Sequence, residues 1–181
     1  MITKGSILIS EPFLGDSNFE RTVVLVCEHN ALGTFGYVLN KPTAIEISSV
    51  ILDLSNFPLN LYIGGPVSQD SVHFIHRNKN RIEGDVEIQE NVYWGGDFGM
   101  LKEMIKNGSM SPDDIRFFAG YSGWGEGQLD RELESKSWIV GSASSEEIFE
   151  TEPEQFWRAI LKNMGGRFKA LSNYPIDPRL N

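Results

Sequence analysis

Apolar runs dominate the first third of the chain and read as strand. Ser6–Ser10 is short and carries β-branched residues, and Thr22–Cys27 (TVVLVC) is a continuous apolar run of the kind found in a fully buried strand. Phe35–Leu39 (FGYVL) follows the polar segment Glu28–Thr34, which contains Gly33, so these two runs predict a hairpin. Lys41-Pro42 closes the third strand, because proline removes a donor and restricts the residue before it. Within Glu46–Leu54 the spacing of Ile47, Val50, Ile51 and Leu54 predicts one helical face. Leu61–Ile63 and Val72–His76 read as strands around the turn Gly64-Gly65-Pro66, and polar Asn78–Glu90 reads as an exposed loop or ragged hairpin.

The second half alternates. Asp97–Lys106 predicts a helix with Asp97 as N-cap, Leu101, Met104 and Ile105 on one face, and Gly108 at its end. Ile115–Ala119 (IRFFA) is a strand, Gly120–Gln128 a glycine-rich turn, Gln128–Glu134 a short charged helix and Trp138–Val140 a strand. Glu154–Met164 predicts a helix with Phe156, Trp157, Ile160, Leu161 and Met164 inward, ended by Gly165-Gly166. Early strands followed by alternating elements indicate one α+β domain with a mixed sheet, and no linker-like stretch divides residues 1–181.

Composition narrows the function. Of 181 residues, 40% are hydrophobic and 23% charged, which is ordinary for a globular chain. Sixteen basic against twenty-five acidic residues give a net charge of −9, a sign that repels phosphate backbones. The local basic candidates are thin, Arg77, Lys79 and Arg81 and then Arg167 and Lys169, so direct nucleic-acid binding is not expected. The lone Cys27 has no partner for an internal disulfide, and its apolar run predicts a buried, inert thiol. The N-terminal apolar stretch is too short for a signal-peptide core, and no run approaches the ~18 apolar residues of a spanning helix. The expected location is the cytoplasm, away from any membrane.

The strongest local signal is Gly120-Tyr121-Ser122-Gly123-Trp124-Gly125-Glu126-Gly127-Gln128, between a predicted strand and a predicted helix. Glycines let a ligand approach the backbone, and free N–H groups at a helix start favour an anion. The same alternation of aromatics and glycines also builds a tight turn in which Tyr121 and Trp124 pack onto the domain. Neither phosphate signature matches: there is no P-loop Lys-Ser/Thr, and the glycine spacing is not that of the dinucleotide fingerprint. Ser122 invites comparison with a hydrolase nucleophile elbow, but Trp124 stands where the second glycine belongs. A serine nucleophile also needs a base, and only His29, His73 and His76 exist. His73 and His76, three apart on a strand, point to opposite faces, so no metal site is predicted from them. Glu28-His29, Asn40-Lys41 and Gly64-Gly65 stand at strand ends, where polar groups and close backbone approach serve binding.

These motifs together resemble the AlgH/YqgE family of small bacterial proteins over essentially the whole chain. The resemblance is carried by Gly5–Ser10 with Pro12, Asp16 and Phe19, by Arg21-Thr22-Val23-Val24 through Glu28-His29, and by Gly33 and Gly36 through Asn40-Lys41-Pro42. It continues through Gly64-Gly65-Pro66-Val67, His76, Trp94-Gly95-Gly96-Asp97, Gly120–Leu129 with Glu132 and Trp138, and the tail Tyr174-Pro175, Asp177-Pro178 and Asn181. The resemblance implies an α+β fold with a strongly curved mixed sheet and flanking helices. It implies no catalytic residue and no cofactor, because the family has no established activity; some members are labelled transcriptional regulators through a link to alginate production. The acidic charge and the lack of a helix-turn-helix pattern argue against direct promoter binding. The leading expectation is a regulatory or binding module for a small ligand or protein partner, with one surface formed by Glu28, His29, Asn40, Lys41, Gly64, Gly65, Tyr121, Ser122, Gly123, Trp124, Gly125 and Gln128. The competing expectations are a hydrolase using Ser122 or a His29/Glu28 pair, and indirect transcriptional control through protein contact.

Overall fold

The computed structural model describes residues 1–77 and 80–175. The proposed loop residues Asn78 and Lys79, and the tail motif residues Asp177, Pro178 and Asn181, lie outside the described residues. Among the described residues ten strands form one mixed sheet. Its first half runs β10 (Trp138–Gly141), β1 (Ile7–Ser10), β2 (Val23–Asn30), β3 (Gly33–Val38) and β9 (Ile115–Gly125), all antiparallel. Its second half runs from β9 to β6 (Val67–His76), β8 (Val92–Trp94) and β7 (Val86–Gln89), with β5 (Asn60–Ile63) parallel on β9 and β4 (Pro42–Glu46) on β5. The expected α+β class with a mixed sheet and flanking helices is therefore what forms.

Alternation along the strands sorts the apolar residues into three cores. Ile7, Ile9, Val23 and Leu25 from one half meet Ile75 and Phe118 from the other, closed by Phe156, Trp157, Ile160 and Leu161 of helix α5 (Pro153–Met164) and Ile148 of α4 (Ser145–Glu150). On the other face of the second half, Phe74, Ile115 and Phe117 pack with Leu101 and Met104 of α2 (Phe98–Lys106). On the other face of the first half, Leu8, Val24, Val26 and Val38 pack with Leu129 of α3 (Gln128–Glu134) and the indoles of Trp124 and Trp138.

Strand β9 belongs to both halves, and Gly120 is where it changes partners. Its φ of +66° is left-handed, and a Cβ there would lie 2.5 Å from the Val67 carbonyl oxygen. Phe118 and Tyr121 consequently pack against the same core, which strict alternation would forbid for residues three apart.

Several expectations are corrected. The glycine-rich stretch is mostly strand: β9 continues to Gly125, and only Glu126-Gly127 turns before α3. The predicted helix over Glu46–Leu54 shrinks to α1 (Ile47–Val50) and a 3-10 turn at Leu52–Leu54, leaving Val50 exposed. Glu46 supplies no side-chain cap, and the β-branched residues on that face are poor helix formers. Strand β3 stops at Val38, ahead of Lys41-Pro42, and Pro42 instead opens β4, the first position of a strand being one that proline tolerates. Asn78–Glu90 yields β7, which pairs with β8 across Asn91 in the left-handed region. Two short helices escape periodicity, α4 behind a Ser144/Glu147 capping box and α6 (Gly166–Leu171) restarting after Gly165. Asp97 is the expected N-cap, accepting from the Met100 N–H at 2.6 Å.

Candidate functional site

Strand β2 leaves the core at Cys27. The register with β3 slips there, and residues change from buried to exposed at Glu28, His29 and Asn30. Local bonds stiffen the exposed end. The Asn30 amide donates to Glu28 Oε1 (2.7 Å), its own Oδ1 accepts from the Leu32 N–H (2.8 Å), and His29 Nδ1 lies 2.7 Å from Thr34 Oγ1. The two-residue loop then presents Leu32 with 86% of its surface in solvent.

Gly33 admits β9 alongside this hairpin. At φ +148°, any Cβ would stand 2.4 Å from the Trp124 carbonyl oxygen. The end of β9 therefore lies against the hairpin, with Gly33 opposite Gly125 and Phe35 opposite Gly123. A groove of about 430 Å³ is not here but between two C-terminal helices; at the hairpin the grooves are about 420 and 370 Å³. The larger is lined by Glu28, Asn30, Leu32, Phe35, Tyr121 and Gly123, among others, and the smaller by His29, Thr34, Gly125, Glu126 and Asp130.

Beneath the larger groove sits an aromatic cluster that periodicity did not single out. Phe35 packs edge-on to Trp94 at 4.9 Å and to Tyr121 at 6.1 Å, and His73 lies 5.5 Å from Tyr37. The Trp94 indole donates to the Tyr37 hydroxyl (2.8 Å), and burial pushes that phenol's pKa up. His73 Nε2 is 2.8 Å from Ser71 Oγ, and burial holds its pKa below the usual value, so its ring is neutral at pH 7. Strand patterning offers no cue that these rings meet, since Phe35, His73, Trp94 and Tyr121 are distant in sequence.

The other anticipated residues serve the frame. Ser122 is fully buried and its hydroxyl donates to the Gly64 carbonyl oxygen at 3.0 Å. Gly64 and Gly65 touch β9 backbone: a Cβ would meet Gly120 O at 2.3 Å or Ser122 N at 2.4 Å. Trp124 is buried and, with Trp138, donates to the Glu132 carboxylate at 2.8 and 2.7 Å. Gln128 closes the turn by accepting from the Gly125 N–H and donating to Glu132. Asn40 accepts from the Val23 N–H and donates to the Arg21 carbonyl, while Lys41 Nζ donates to the carbonyls of Ser17 and Asn18. Those contacts are at the start of β2, six residues before His29, or roughly 20 Å along the strand. The structure thus gathers Glu28, His29, Tyr121, Gly123, Trp124 and Gly125 at one end, and sets Asn40-Lys41 at the other.

The remaining titratable candidates are interior. Cys27 is buried, and its thiol pKa is raised by burial. His73 and His76 face opposite sides of β6, His73 toward Tyr37 and His76 toward Phe74 and Tyr93. His76 Nε2 lies 3.3 Å from Asp85 Oδ2, outside hydrogen-bond geometry, and Asp85 is itself bound by Arg81 and the Ile82 N–H. Among the described residues no group of three or more His, Cys, Asp or Glu is placed to hold a metal ion, and no helix is long and apolar enough to cross a membrane.

Fold and site together define an α+β protein with a bent ten-stranded sheet and a groove at one hairpin end. The chain belongs to the AlgH-like family, whose model matches residues 7–169. Among curated relatives it is 56% identical to a UPF0301 protein of Cytophaga hutchinsonii, covering 100% of both chains. It is 42% identical to one of Chlorobium limicola, over 98% of this chain and 95% of that one. Among solved structures, a protein of Corynebacterium diphtheriae superposes with a TM-score of 0.83 at 25% identity, covering 96% of this chain and 93% of that one. The AlgH protein of Pseudomonas aeruginosa superposes at 0.74 with 27% identity, over 95% and 94%.

Proposed function

We propose that the chain is a binding module that acts through a protein partner docked on the β2–β3 hairpin and the end of β9. The observation that carries this reading is Leu32, 86% exposed at the apex of a hairpin whose flank is a groove of about 420 Å³. An apolar tip beside aromatic Phe35 and Tyr121, rimmed by Glu28 and Asn30, has the apolar-centre, polar-rim composition of a docking patch. The bonds within Glu28–Thr34 hold that shape before any partner arrives, which lowers the ordering cost of association. A serine-hydrolase role has no comparable support, because the Ser122 hydroxyl is buried and held by a backbone carbonyl.

The test is co-purification of the tagged chain from the organism that makes it, beside the variant Leu32→Asp. A discrete stoichiometric partner retained by the parent and lost by the variant supports the reading. Identical recovery with both proteins contradicts it.

A further inference from the structure

We infer that the groove between α5 and α6 binds a compact polyanion, a small ligand carrying two or more phosphate or carboxylate groups. The groove is about 430 Å³, within the ~300–1,000 Å³ range of small-molecule sites. Arg158, Lys162 and Lys169 line it, with Glu154 as its only carboxylate-bearing wall residue and Ser172 and Asn173 as further polar lining.

The cations there are unneutralised. None of Arg158, Lys162 and Lys169 joins an ion pair among the described residues, a state they share with Lys4, Arg131, Lys136 and Arg167, but these three are gathered on one groove. In a chain with nine more acidic than basic residues, three basic side chains gathered without a pairing carboxylate run against composition. Arg158 and Lys162 are one helical turn apart on α5, a like-charge spacing that is repulsive, and Lys169 adds a third charge from α6.

A fourth cation stands behind them. The Arg21 guanidinium stacks on the Trp157 ring at 4.6 Å and donates to the carbonyls of Tyr174 and Pro175. Its Nε is buried without a partner, and its pKa is lowered by burial and then by the charge of Arg158. Two anionic groups on one small molecule would relieve the repulsion among these charges with charge-assisted hydrogen bonds. Volume favours a compact ligand, and the negative charge of the whole chain opposes an extended polyanion such as duplex nucleic acid. The groove uses α5 and α6 and none of the hairpin elements, so it stands or falls independently of the proposed partner surface.

The experiment is titration of the isotope-labelled full chain with sodium pyrophosphate and, separately, with citrate at constant ionic strength, followed by amide chemical shifts. Saturable shifts confined to residues near Arg158, Lys162 and Lys169 are expected with at least one probe, and the preferred probe distinguishes phosphate from carboxylate recognition. The double variant Lys162→Gln, Lys169→Gln alters exposed side chains only, and should bind about tenfold or more weakly with its spectrum otherwise preserved. Non-saturating shifts with both probes, shifts spread equally over Lys4, Lys102 and Lys106, or unchanged affinity in the double variant would overturn the inference.

Discussion

Asn40 uses both ends of its carboxamide on backbone, accepting from Val23 and donating to Arg21, and so ties the exit of β3 to the entry of β2. A residue that reads as a polar strand-end candidate is here a brace. Replacing it by alanine leaves a partly buried N–H and C=O unpaired, and should cost about 1–3 kcal/mol in urea unfolding. Asn40→Asp keeps the acceptor and loses the donor, so it should lie between parent and alanine variant. Glu132 is a second brace, one carboxylate oxygen taking both the Trp124 and Trp138 indole protons. Glu132→Ala should lower stability and alter the near-ultraviolet circular dichroism of those tryptophans. His76 supplies a pH signature. Burial dominates and lowers its pKa although Asp85 opposes the shift, so the native state holds it neutral while the unfolded chain protonates it near pH 6.5. Stability should therefore fall as pH drops below about 6.5, and His76→Gln should flatten that slope. Asp85, whose pKa is lowered, adds its own loss only in the more acidic range below about 4.

At the scale of elements, legibility followed length and periodicity. The α5 stripe of Phe156, Trp157, Ile160 and Leu161 and the Asp97 cap of α2 are direct consequences of sequence and appear as read. Removing the Trp157 side chain from that stripe should cost about 3–5 kcal/mol, measured by denaturant unfolding. The six-residue helices α4 and α6 were not legible, because so short a helix offers too few positions to show a period, and the helix read over Glu46–Leu54 forms only in part, as α1 and a 3-10 turn. Glycines misled most. Gly120–Gly125 carries turn composition, yet Gly120 answers to Val67, far away in sequence, and in the facing hairpin Gly33 answers to Trp124. Local reading finds a turn wherever glycine accumulates, and cannot see that a second strand requires the missing Cβ. Gly33→Ala tests this directly, since it must displace the Trp124 carbonyl and should destabilise the chain and disturb the hairpin amides together.

For the whole molecule, β9 is the shared member of two half-sheets, and the change of partner at Gly120 lets one sheet enclose a core between its own halves. That topology explains why the functional candidates divide. Strand ends that look equivalent in sequence lie at opposite ends of β2, so Glu28 reaches the larger groove with Tyr121 and Gly123, and His29 the smaller one with Gly125, while Asn40-Lys41 braces the far end. The sequence supplied the candidates but not their grouping, which depends on β3 and β9 pairing across about ninety intervening residues. The family relationship adds fold and no chemistry, so the hairpin surface rests on exposure, shape and preorganisation.

The most direct measurement places a photo-crosslinking residue at Leu32 and, as a control, at Leu52, which is 83% exposed and lies outside the groove. Irradiation in the cells that make the protein should give one discrete adduct from position 32 and none of that mass from position 52, with the adduct lost in Tyr121→Ala. Absence of a discrete adduct at position 32, or the same adducts from both positions, would contradict a docking surface at the hairpin.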